Sequence, residues 1–177
     1  MNFAGFIVAQ TLNSLSQAAI LFFIACGLTL IFGIMRIINF AHGGLFMVGA
    51  YVGYSTVAYT GSFWLSLLVA PIAVAAIGGV FEKVFLSRLY VRNDGGAYLM
   101  LTFGLAIILA QAVHLIWGPQ PRSVAIPDLL RGVVVILNQP FPIYRLFLIA
   151  IGAAAAIALW QFLERTRAGL LIRAVSQ

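Results

Sequence analysis

Gly33-Ile34-Met35-Arg36-Ile37-Ile38-Asn39-Phe40-Ala41-His42-Gly43-Gly44-Leu45-Phe46-Met47-Val48-Gly49-Ala50-Tyr51-Val52-Gly53 decides how the rest of the chain is read. It places one cation, Arg36, and then an Asn, a His and two adjacent glycines between long apolar runs. Unpaired polar side chains and loosened backbone in hydrocarbon each cost on the order of several kcal/mol. Such a cluster therefore belongs at an interface or along a protected cavity.

The flanking runs establish the class. Residues 1–35 carry no charge, and neither do residues 37–81. A membrane span takes about 20 apolar residues, so the second run holds about two spans. Only 8% of residues are charged and 63% are hydrophobic, with a mean hydropathy of +1.09, where soluble domains carry roughly 25% charged residues. The predicted fold is an all-α polytopic transmembrane helix bundle of about five spans, forming a single transmembrane domain over residues 1–177.

Helices are predicted at about 6–33, 37–58, 63–81, 97–117 and 143–163. On the first, Gln10, Asn13, Ser14 and Gln17 follow the i, i+3, i+4, i+7 spacing of one helical face. In lipid that stripe turns into the bundle, either as glue between helices or as the lining of a substrate path. On the second, Gly49 and Gly53 have the spacing that lets helices approach closely. Glu82 to Asp94, with Lys83, Arg88 and Arg92, is predicted as a polar loop, and Trp117 beside His114 as an interfacial anchor. Pro119, Pro121, Pro127, Pro140 and Pro142 mark an extramembrane loop over about 118–142, whose β-branched centre, Gly132 to Leu137, is predicted as a short hairpin or surface strand.

The basic residues are spread between apolar runs, without the clustered face that nucleic acid requires. Their count sets orientation instead. With five spans, Arg36, Lys83, Arg88, Arg92, Arg165, Arg167 and Arg173 fall on one side and Arg122, Arg131 and Arg145 on the other, seven of the ten against three. The positive-inside bias places the seven in the cytoplasm and the N-terminus outside. The start of the chain lacks the basic region of a secretory signal, so the first span is expected to be retained. The lone Cys26 excludes an intrachain disulfide.

The chemistry of catalysis is missing from the sequence. The single lysine, Lys83, stands in no phosphate-cradling Gly-x-x-x-x-Gly-Lys-Ser/Thr motif, and zinc, dithiol and nucleophilic-serine signatures do not occur. No cofactor or metal is expected, and any ATP used is hydrolysed by another chain. Asn39, His42, Gly43 and Gly44 remain as candidates. Either the glycine pair interrupts the helix and Asn39 and His42 orient or gate what passes, or the glycines permit tight helix crossing while Asn39 and His42 cap or bond a neighbouring helix.

Gly27-Leu28-Thr29-Leu30-Ile31-Phe32-Gly33, Ile38-Asn39-Phe40-Ala41-His42-Gly43 and Gly49-Ala50-Tyr51-Val52 together resemble the LivH-type integral membrane permeases of branched-chain amino-acid ABC importers. Relatives often carry a carboxylate directly after the His-Gly pair, and this chain has Gly44 there. Thr166, Arg167, Gly169, Arg173 and Ala174 resemble the opening of the family's cytoplasmic coupling helix, about 165–177, which docks on an ATPase subunit; Gly169 would allow the close approach. The resemblance implies a second permease subunit, two ABC ATPase subunits, a periplasmic substrate-binding protein and a bacterial inner membrane. It also implies further spans beyond these residues. Permeases for urea or short amides are the nearest variants within the class, and a non-transporting membrane scaffold is the rival outside it. A scaffold has no reason to carry the coupling-like segment.

Overall fold

The computed structural model describes residues 3–35, 38–87 and 95–176. Arg36, Arg88, Arg92 and Asp94, which enter the charge count and the predicted polar loop, lie outside the described residues. The helices are α1 (Phe3–Met35), α2 (Ala41–Thr60), α3 (Phe63–Phe81), α4 (Gly95–Trp117), α5 (Ile143–Arg165) and α6 (Arg167–Ser176). A hairpin of β1 (Val133–Ile136) and β2 (Gln139–Pro142) precedes α5. These elements form two compact units, one of α1, the hairpin, α5 and α6, the other of α2, α3 and α4.

Four helices, α1, α3, α4 and α5, are long and apolar enough to cross a bilayer. No more than 22% of any of their apolar windows is buried against protein. Water would not tolerate so much outward-facing Leu, Ile and Phe, whereas lipid tails solvate it at no cost. α2 is less apolar, yet its 20 residues reach roughly 30 Å at 1.5 Å per residue. It packs on both α3 and α4, which half-buries His42, Tyr51, Tyr54, Ser55 and Thr56 and leaves only Tyr59 and Thr60, at its very end, exposed among its His, Tyr, Ser and Thr side chains.

The helix directions give the crossing order. In the first unit, Gly5 lies beside the Leu137 carbonyl, Asn13 meets Arg145 and Ala19 meets Gly152. Both numbers rise together, so α1 and α5 are parallel. A chain that leaves by α1 and returns at the starting face for α5 must cross an odd number of times between them. The second unit supplies three crossings. α2 and α3 are antiparallel, with Leu45 against Gly78, Gly49 against Val74 and Gly53 against Ala70. α2 and α4 are parallel, with Phe40 on Phe103 and Tyr51 on Trp117. Five spans follow.

Local chemistry fixes the connections. The α2–α3 turn is closed by Gly61 at φ 68°, whose N–H donates to the Val57 carbonyl at 2.8 Å. Ser62 then caps α3 by accepting from the Leu65 N–H. Pro71 sits inside α3 without ending it. In the hairpin, Leu137 and Asn138 take φ of 48° and 66°, the left-handed pair that a two-residue turn between twisted strands requires.

Two sequence expectations are corrected. The polar loop does not begin at Glu82: the backbone stays helical as a π turn over Glu82–Leu86, and the Ser87 hydroxyl bonds back to the Lys83 carbonyl at 2.7 Å. Val84 and Phe85 continue the apolar surface past the Glu82-Lys83 pair, whose long side chains can snorkel, and Leu86 is buried. Nor do Gly43 and Gly44 interrupt a helix, since both lie in the first turn of the unbroken α2. The break precedes them, at Ile38 to Phe40.

Candidate functional site

Asn39 turns the chain into α2. Its Oδ1 accepts the Ala41 N–H at 3.0 Å and its carbonyl accepts the His42 N–H at 3.3 Å. The short amide side chain thus satisfies donors that a helix start leaves open. Ala41 is buried, His42 half-buried and Gly43 exposed. Gly44 faces α4, where a Cβ would lie 3.2 Å from Leu109 Cδ1 and 3.5 Å from Ala106 Cα. A side chain here would stand against that apolar surface. Below it, Val48, Leu109 and Val113 form a buried cluster.

Gly49 and Gly53 face α3, where a Cβ at Gly49 would stand 3.1 Å from Val74 Cγ2. The contact line on α3 is Ala70, Val74 and Gly78, while Ala75, Ala76 and Gly79 of its small-residue run are exposed. At the far end of this unit the Trp117 indole N–H donates to Ser55 Oγ at 2.7 Å, and Arg122 donates to the Trp117 carbonyl while lying over the Tyr54 ring. Trp117 is therefore tied to α2 and does not serve only as a lipid anchor. Composition gives no sign of Ser55 as its partner.

The predicted coupling residues form a corner between α5 and α6. The Thr166 hydroxyl donates to the Phe162 carbonyl at 2.7 Å and accepts the Gly169 N–H at 3.0 Å, so it caps α6 while gripping α5. Gly169 is buried, and a Cβ there would lie 2.5 Å from the Phe162 carbonyl oxygen. Its close approach is to its own chain, which corrects the expectation that it admits a partner's backbone. Arg173 pairs with Glu164 at 2.8 Å and also faces α5. Arg167, Leu170 and Leu171 are exposed. Ala174 belongs to the same helix.

In the other unit, the polar stripe of α1 meets α5. Arg145 donates to Asn13 Oδ1, and Gln10, Ser14, Gln17, Tyr144 and Arg145 line a cavity of about 440 Å³. Farther along, a Cβ at Gly152 would lie 2.6 Å from Ala19 Cβ, so these helices touch at Gly152 while Ala153 and Ala154 are exposed. Arg145 entered the sequence reading only as an outer cation. A cation in the first turn of a predicted span was the available signal.

The family model of the branched-chain amino acid transport system permease component matches residues 10–177. The permease LivH of Salmonella typhimurium is 31% identical over 72% of this chain and 43% of its own length, and LivH of Escherichia coli K12 is 32% identical over the same shares. BraD of Pseudomonas aeruginosa, also named as a high-affinity branched-chain amino acid transport permease, is 28% identical over 95% of this chain and 58% of its own length. The chain thus spans about half the length of these relatives. No solved structure matches it. A membrane-crossing helix bundle, matched to the family model over nearly its whole length, belongs to the branched-chain amino acid transport system permease family.

Proposed function

We propose that this chain belongs to the membrane-crossing region of a permease subunit in an ATP-driven importer of branched-chain amino acids, sited in a bacterial inner membrane with its N-terminus outside. A second permease subunit completes the pathway, two ATPase subunits drive it, and a periplasmic binding protein delivers substrate to the outer face. The observation that carries the reading is the α5–α6 corner. Thr166, Gly169 and the Arg173–Glu164 pair fix a short helix at the end of a span, and it turns Arg167 and Leu171 outward. A scaffold has no use for a helix held this way, whereas an ATPase that must pull on a span needs a rigid lever.

The outward residues are the ones to substitute. In the complete permease, Leu171→Asp should leave membrane insertion intact, abolish co-purification of the ATPase and reduce leucine uptake at least tenfold. Retention of both ATPase and uptake would remove the lever from the mechanism.

A further inference from the structure

The cavity between α1 and α5 combines three chemistries. Its cation, Arg145, is held by the neutral Asn13 amide, and among the described residues no carboxylate lies within ion-pair distance of it. It also stands in the first turn of α5, where the helix dipole already favours an anion. The local field is thus positive and uncompensated, and a guanidinium with five donors has spent one on Asn13. Around it, the Gln10 and Gln17 amides and the Ser14 and Tyr144 hydroxyls offer acceptors, while Ile20 and Leu148 add an aliphatic patch. The volume of about 440 Å³ falls within the roughly 300–1,000 Å³ of small-molecule sites.

We propose that this cavity binds a zwitterionic aliphatic amino acid, with Arg145 taking the carboxylate, the amide and hydroxyl oxygens of α1 and Tyr144 taking the ammonium, and Ile20 with Leu148 taking the side chain. Arg supplies the planar fork that a carboxylate matches with two parallel bonds. Of the stripe, among the described residues, only Asn13 is bonded across to α5, and the side chains of Gln10, Ser14 and Gln17 line the cavity. The assignment rests on the importer reading and names where this chain touches substrate.

The test uses the complete complex with Ser14→Cys in a Cys26→Ser background, in nanodiscs of phosphatidylcholine. Leucine should slow alkylation of the introduced thiol several-fold, and leucinamide, which lacks the carboxylate, should not. Arg145→Gln should erase that protection and lower maximal leucine uptake at least tenfold in proteoliposomes, with Arg145→Lys retaining part of both. If Arg145→Gln fails to assemble, the contrast between leucine and leucinamide decides alone. Equal alkylation with and without leucine, in a complex whose unsubstituted form takes up leucine, overturns the site and leaves the importer reading standing. An unsubstituted complex that takes up no branched-chain amino acid fails the importer reading itself, and the site with it. Protection that requires phosphatidylglycerol and ignores leucine assigns Arg145 to a lipid phosphate and overturns the proposal.

Discussion

The α2–α3–α4 unit and the α1–α5 pair solve the same problem in opposite ways. In the first, glycines and apolar side chains close the contacts: Gly44 against Leu109, Gly49 against Val74, and Val48 with Leu109 and Val113. Asn39 there is spent on its own helix start. In the second, helices touch at Gly152 and Ala19 and then part around a cation and a row of amides. The stretch that carries the family resemblance is largely packing and capping. The cavity falls on residues that the resemblance does not single out. A motif that identifies a fold need not be the part that meets the ligand.

Substitutions can break this contrast, and the largest effect is expected at Gly152. A Leu there meets Ala19 with no room, and overpacking of this kind costs on the order of 3 kcal/mol. Gly152→Leu should sharply lower the melting temperature and yield of the purified permease and abolish uptake. A melting temperature within a degree or two of the parent would show that α1 and α5 do not touch there.

Gly49→Leu should cost less, about 1–2 kcal/mol, because the neighbour at 3.1 Å is the tip of a Val side chain. Melting should fall moderately with uptake largely retained. A loss of uptake without a change in melting would give the α2–α3 face a role in transport, and blur the contrast. The smallest effect belongs to Trp117→Phe, which keeps the ring against Tyr51 and removes the bond to Ser55. Polar bonds between membrane helices average about 0.6 kcal/mol, so the melting shift should be barely resolved. A large drop would mean that the indole organises the end of the unit.

Hydropathy and charge-free runs revealed the spans, because a bilayer demands about 20 apolar residues whatever they pack on. The prolines marked the extramembrane loop, and the β-branched run from Gly132 to Leu137 marked the strand within it. Sequence spacing could not say which way a polar residue turns. Asn39 and His42 lie three apart, which fits one helical face, but Asn39 precedes the helix and accepts from the Ala41 and His42 N–H groups at its start. Gly169 and Arg173 share a face as spacing suggests, yet that face meets α5. The Arg145–Asn13 contact joins residues far apart in the chain, which local periodicity cannot detect.

The central claim is that the α1–α5 contact opens to water while the family stretch packs dry. Single cysteines at Ser14 and Val48, each in a Cys26→Ser background, test it in intact cells exposed to a membrane-impermeant thiol reagent. Ser14→Cys should be alkylated readily and Val48→Cys should resist. Equal rates, or a reactive Val48→Cys beside an inert Ser14→Cys, would contradict the account.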